Sequence, residues 1–313
     1  MSSMQKKLYK ESFWERAKKD IKKNKVLYLL VLLPLAYYIV FQYVPMYGIV
    51  IAFKRYIPAL GINDSPWVGF SHFKKFFESV YFWRILKNTF RISFFSIMFG
   101  FPAPILLALL INELSNKYFV KSVQTITYLP HFVSMVVICG IIKSFTGTNG
   151  IITNILSYFT HDTTSVLMHP EYFTAVYVLS NIWQGIGWGS IIYFAALTNI
   201  NSELYEACEI DGGGRLRQAI HVTIPGILPT IIIMLIMRVG SILNVGYEKI
   251  ILLYNPLTYK TADVISTYVY RKGLLENNYS YATAVGLFNS VVNVIFLCLC
   301  NRFCRKVSDT SLW

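Results

Sequence analysis

Apolar residues run along this chain in long blocks rather than in short alternations. Val26 to Phe53 contains no charged residue, and five further blocks follow at 88–112, 123–143, 173–199, 224–247 and 282–301. About 20 apolar residues in a helix cross the roughly 30 Å of a bilayer's hydrocarbon, so the pattern predicts six membrane spans. The first block is too long for the apolar core of a signal peptide and reads as a retained span. Pro34 and Pro45 are expected to kink or end it. An even number of spans puts both termini on one side.

Polar stretches between the blocks set that side. With the N-terminus inside, the inner segments hold 16 of the 29 Lys and Arg residues and the longer outer segments hold 10. Cytoplasmic loops carry the excess of cations, so both ends are expected in the cytoplasm. Residues 4–23 place Trp14, Ala17 and Ile21 on one helical face and crowd Lys18, Lys19, Lys22 and Lys23 elsewhere. That stretch reads as an amphipathic helix on the inner membrane surface, or as a disordered basic tail. The organisation expected is an amphipathic segment over 1–25, a membrane domain over 26–301 and a cytoplasmic tail over 302–313. The outer segment 54–87 has turn chemistry at Pro58, Gly61, Asn63 and Pro66, then Phe70, Phe73, Phe76, Phe77, Phe82 and Trp83. Aromatics of this density suit a membrane interface.

Composition agrees. Of 313 residues 55% are hydrophobic and 14% charged, with mean hydropathy +0.48, whereas soluble domains carry about 25% charge. The net charge of +13 follows from topology and does not require nucleic acid. The five cysteines form no CxxC pair, and the three inside apolar runs read as small buried apolar side chains, not as metal ligands.

Chemistry narrows the class. All 16 acidic residues fall in loops, tails or at span edges, which argues against coupling to protons or sodium and against an acidic channel ring. No GxxxxGK[ST] loop is present, so the chain supplies no phosphate cradle of its own. The run Asp211-Gly212-Gly213-Gly214-Arg215 lacks the Lys-Ser/Thr pair. No catalytic residue is assigned and no enzymatic activity is expected.

The loop between the fourth and fifth blocks, 201–223, is the informative one. Ser202 is placed to cap a helix, with Glu203 and Glu206 near its positive end. Three glycines stop that helix and permit a tight turn. A second short helix then leads to Pro225. Glu206-Ala207-Cys208 is followed, after three residues, by Gly212 and, after nine more, by Val222-Thr223-Ile224-Pro225.

That spacing resembles the EAA motif of ABC importer permeases, with Cys, Val and Ile as conservative departures. Further stretches resemble carbohydrate permeases: Gly69-Phe70, Phe82-Trp83, Asn88-Thr89, 247–256, 263–270 and 281–284. With Tyr43–Gly48 they are similar to the branch handling polysaccharide fragments and complex oligosaccharides. The resemblance implies an all-α membrane protein of type I ABC importer architecture in a bacterial cytoplasmic membrane. It implies a related second permease, a pair of ATPase subunits that bind ATP and Mg, an extracellular sugar-binding protein, an oligosaccharide substrate and surrounding lipid, with no cofactor in this chain. It assigns ATPase coupling to Glu206, Ala207, Asp211, Gly212 and Pro225.

A sugar path needs polar edges and aromatic faces. Candidates inside the blocks are Trp183, Gln184, Trp188, Asn244, Tyr247, Asn289 and Asn293, with Tyr128, His131 and Asn181 beside them. Asn289 and Asn293 share a helix face, as do Gln184 and Trp188. Intramembrane amides also bond neighbouring helices, so each carries a packing reading next to the ligand reading. Arg91 and Arg238 are expected to snorkel or to pair with helix ends or the partner subunit. The alternatives are a permease for peptides or amino acids, or a passive channel or structural subunit.

Overall fold

A computed structural model describes residues 13–307 and 311–312. The expected amphipathic stretch is helical over Phe13–Lys23, and its residues 4–12 lie outside the described part. Among the described residues the secondary structure is helical, with two isolated bridges, Lys54 with Trp67 and Ile57 with Gly61. Five stretches are long and apolar enough to cross a membrane: Lys25–Phe53, Phe82–Asn112, Met135–Thr160, Arg215–Val239 and Tyr279–Lys306. The helix Phe173–Leu197 has 25 residues, but Asn181, Gln184 and three glycines dilute its hydropathy.

Three expected boundaries change. The block at 123–143 is not one helix. Pro130 enters a 3-10 turn over Leu129–Phe132, Val133 is extended, and Ser134 caps a new helix, Met135–Thr146, through its hydroxyl. A proline deprives the preceding turn of a donor, and apolar counting does not register that. The fifth block ends at Val239 rather than 247, and Asn244 lies in a non-helical segment. The last helix, Tyr279–Val307, runs past 301, and Asn301 Oδ1 then accepts the Leu312 N–H at 2.9 Å. Pro34 does not end the first span: the helix continues to Tyr38 and passes into a π turn at Ile39–Tyr43.

Three apolar clusters hold the bundle. Ile92, Ile138, Phe173, Tyr177, Ile250 and Leu253 form one. Phe76, Phe82, Ile85, Leu243, Ile265 and Val285 form another. The third, Ala108, Tyr193, Leu197 and Ile227, joins the helices that flank loop 201–223. Phe173–Leu197 is the central helix, packed on Phe82–Gly100, Pro102–Asn112, Lys117–Tyr128 and Ile224–Val239. Its approach to Lys117–Tyr128 depends on Gly187, where an added Cβ would sit 2.2 Å from the Thr127 carbonyl oxygen. By contrast Val26 to Met46 has no buried residue. Its leucines and tyrosines face outward, as expected of a surface covered by lipid or another subunit.

Segments from 54–87 and 248–281 fold into a cap centred on Asp263, whose side chain is fully buried. Its Oδ2 accepts from Arg84 at 3.3 Å and Arg271 at 2.8 Å, and its Oδ1 from Thr267 at 2.9 Å. Burial alone would lower the Arg271 pKa, but the hydrogen bond and charge of Asp263 raise it above the ordinary guanidinium value. Asn88 Nδ2 donates to the Lys260 and Asp263 carbonyls, both at 3.0 Å. The cap is thereby tied to the span Phe82–Gly100.

Candidate functional site

Two sites emerge, at opposite ends of one continuous helix. The first is the elbow at 201–223. Its first helix, Ser202–Ile210, is capped by Asn201, whose Oδ1 accepts the Glu203 N–H at 3.1 Å. Ser202 is therefore the first helical residue, one position beyond the cap expected of it; both side chains are competent caps, and spacing alone does not choose between them.

The helix closes as a Schellman motif. The Gly212 N–H reaches the Glu209 carbonyl at 2.9 Å and the Gly213 N–H reaches Cys208 at 2.8 Å. Gly212 has φ +75°, the left-handed geometry this cap requires and a side chain resists. Gly213 packs against Cys208, where a Cβ would meet Sγ at 2.5 Å. The chain then turns through Gly214 into Arg215–Gln218, a π turn at Ala219–Thr223, and Ile224–Val239. A hydrogen bond of 3.1 Å between Tyr205 OH and Thr223 Oγ1 locks the first elbow helix to the start of the span. Glu206, Ala207, Asp211, Gly212 and Pro225 are all exposed. So are Leu204, Ile210 and Leu216, Ile210 at 86%. An apolar and acidic face on a backbone-fixed elbow is built to meet something outside this chain.

The second site is a cavity of about 450 Å³ near the other end of that helix. Ser93, Ser96, His131, Tyr177, Asn181, Gln184, Arg238 and Asn244 are among its lining residues. Of the expected path residues, Gln184 and Asn244 reach it. Trp188 stacks on His131, rings parallel with centroids 4.5 Å apart, so it lies behind a lining residue. Trp183, on the same helix as Trp188, is exposed and does not line the cavity.

The other three group elsewhere. Asn289 and Tyr247 line a separate, more apolar groove with Tyr270 and Gly286, where Tyr247 stacks on Tyr270 at 5.8 Å. Asn293 is buried. Its Oδ1 accepts the Leu243 N–H at 2.9 Å and its Nδ2 donates to Asn244 Oδ1 at 2.9 Å. Asn289 Nδ2 donates to the same Asn244 oxygen at 2.9 Å, and its own Oδ1 is buried without a partner. Asn244 thus stands between cavity and groove, braced from behind by two amides.

One residue escaped the hydropathy reading. Lys249 counts as an outer-loop cation by sequence position, yet it is 2% exposed. Its Nζ donates to Asn181 Oδ1 at 2.8 Å and lies 3.5 Å from Gln184 Oε1. The clue available in sequence was its apolar setting, Ile250-Ile251-Leu252-Leu253. Arg91 does not face this cavity; it borders a shallow outer pocket with Phe95, Phe99 and Glu171. Among the described residues no cluster of His, Cys, Asp or Glu is placed to hold a metal, and all five cysteines are free.

Long apolar helices, an exposed elbow set between two of them and a polar-lined cavity within the bundle define a membrane-embedded transport subunit. The chain belongs to the family described as "Binding-protein-dependent transport system inner membrane component", whose model matches residues 93–309. It is thus a permease of the ABC transporter class. Protein LplB of Bacillus subtilis (strain 168) is 42% identical over 294 residues, covering 94% of this chain and 92% of that protein. The polygalacturonan/rhamnogalacturonan transport system permease protein YteP of the same organism is 41% identical over 291 residues, covering 93% and 91%. Among solved structures, a chain of a bacterial ABC transporter involved in the import of the acidic polysaccharide alginate superposes with TM-score 0.85. It is 45% identical, with 94% of this chain and all of that one covered. A chain of a bacterial alginate ABC transporter in complex with an alginate pentasaccharide-bound periplasmic protein likewise superposes with TM-score 0.85 at 45% identity.

Proposed function

We propose that this chain is the transmembrane permease subunit of an ATP-driven importer of oligosaccharides or polysaccharide fragments. Six helices cross the membrane and both termini lie in the cytoplasm. A second, homologous permease completes the pathway, two ATPase subunits bind ATP and Mg, and an extracellular binding protein delivers the sugar. ATP closes the ATPase pair, draws the elbows together and turns the cavity outward; hydrolysis returns it inward, a rigid-body two-state scheme. Gln184 and Asn244 meet the sugar, and Trp183, Trp188, Tyr247 and Asn289 flank its route, with Asn293 holding Asn244 in place.

The observation that carries this reading is the elbow. Its exposed face of Leu204, Glu206, Ala207, Ile210 and Asp211 is fixed by a Schellman cap and bonded through Tyr205 to the helix that runs to the cavity. Such a continuous link carries a displacement from outside the membrane into it. The identities above 40% to permeases of polysaccharide systems support the substrate class.

The test is Glu206→Lys and Gly212→Pro. Proline at 212 loses the N–H that bonds Glu209 and cannot take φ +75°. Both variants are expected to reach the membrane but to lose sugar uptake and the ATPase subunits on purification. Uptake at the unaltered rate in both would remove the coupling assignment.

A further inference from the structure

The cavity presents one cation, backed by a second, and no anion. The Arg238 guanidinium lines it without a hydrogen-bonded or ion-paired partner among the described residues. Lys249 lies behind Asn181 and Gln184, 5.9 Å from the Tyr177 ring centroid, and takes part in none of the ion pairs among the described residues. The neighbouring carboxylate in sequence, Glu248, is exposed and pairs with neither cation. No Asp or Glu lines the cavity. A buried ammonium with only neutral partners is costly, whereas an apolar side chain of similar volume would pack there at no such cost. Folding therefore gives no account of Lys249.

Orientation of the amides adds a second observation. Asn181 and Gln184 turn their oxygens to Lys249. Gln184 lines the cavity, and with its oxygen turned to Lys249 its NH2 has no partner among the described residues. A Lys-polarised amide, the free Arg238 guanidinium and the Ser96 hydroxyl form a wall of donors, while the Ser93 hydroxyl donates to the Ile242 carbonyl. A donor wall with net positive charge fits a carboxylate, and a guanidinium takes one in bidentate fashion.

We propose that this cavity selects oligosaccharides carrying carboxylates, that is, uronate chains. Arg238 contacts the sugar carboxylate directly. Lys249 is a positioning residue that fixes and polarises Asn181 and Gln184 and supplies the field that favours an anion. The assignment rests on the oligosaccharide reading above and narrows it.

The test uses the complete transporter, with its partner permease, ATPase pair and binding protein, in proteoliposomes. The probes are uronate oligosaccharides, each paired with its carboxyl-reduced neutral counterpart of the same length and linkage. The readout is the ratio of acidic to neutral uptake in each variant relative to the unaltered transporter, so the binding protein's own preference cancels. A charge-assisted hydrogen bond is worth about 1.5–3 kcal/mol, so Arg238→Gln and Lys249→Met are expected to lower the ratio about tenfold or more. Arg238→Lys and Lys249→Arg restore most of it, which a purely structural role would not do. If Lys249→Met fails to assemble, Arg238→Gln decides, because Arg238 holds no internal partner. An unchanged ratio in the variants, or a preference of the unaltered transporter for the neutral chains, overturns the proposal and leaves the oligosaccharide reading standing. Uptake of neither kind removes that reading as well.

Discussion

Replacing Asn293 by leucine separates a packing amide from a ligand amide. Asn293 Oδ1 is the acceptor for the Leu243 N–H, and Leu243 is fully buried. Leucine at 293 leaves that N–H without a partner, at about 1–3 kcal/mol for an unsatisfied buried donor. The second bond, from Nδ2 to Asn244, is lost too, but Asn244 keeps its bond from Asn289. Asn289→Leu is the contrast. It removes one donor, leaves Asn244 bonded to Asn293 and eliminates an Oδ1 that is already unpartnered. Interhelical bonds of this kind are worth about 0.6 kcal/mol on average in membranes, so its net cost is smaller. The expected order is a melting temperature lowered by a few degrees in Asn293→Leu and little changed in Asn289→Leu. Thermal unfolding of the purified transporter, measured beside transport per folded complex, provides the check. Equal melting temperatures with transport lost in Asn293→Leu would refute the bracing role and return Asn293 to the sugar's path.

Two further outcomes follow from the packing. Gly187→Ala drives a Cβ to 2.2 Å from the Thr127 carbonyl oxygen, whereas a Cβ at Gly185 meets nothing within 4 Å; alanine at 187 should cost more than about 1 kcal/mol, with Gly185→Ala neutral, in thermal unfolding of the complex. Asp263→Asn leaves Arg84 and Arg271 without their shared carboxylate; removing one partner of a buried ion cluster costs about 3–5 kcal/mol, so the outer cap should become protease-sensitive under conditions where the unaltered cap resists.

Legibility in the sequence followed the range of the interactions. The elbow was readable because its physics is local: a cap, a helix of fixed length, a left-handed glycine and a proline all fall within 25 residues, and the comparisons place the chain in the family that its spacing resembled. Apolar blocks gave the helical class for the same reason. Boundaries were less readable where one residue overrides a composition average, as Pro130 does inside the block at 123–143. Long-range pairing was hidden. Lys249 meets Asn181 across 68 positions, and Asp263 meets Arg84 across 179. Periodicity shows that Asn289 and Asn293 share a face, but not that both converge on Asn244. Nor did it separate the cavity from the apolar groove, since both draw on residues of similar character.

The helix Arg215–Val239 has 25 residues, roughly 37 Å of rise, and it begins at the elbow and ends with Arg238 at the cavity wall. Under the proposed coupling it would act as a lever: a tilt of about 5° applied at the elbow would swing Arg238 through roughly 3 Å over that length, about the reach of one hydrogen bond. Its stiffness is uneven, because the π turn at 219–223 and Pro229 both interrupt the regular backbone ladder. Motion entering at Glu206 under that scheme would be divided between these two joints before it arrived, and their stiffness would set how much of the stroke reached the guanidinium.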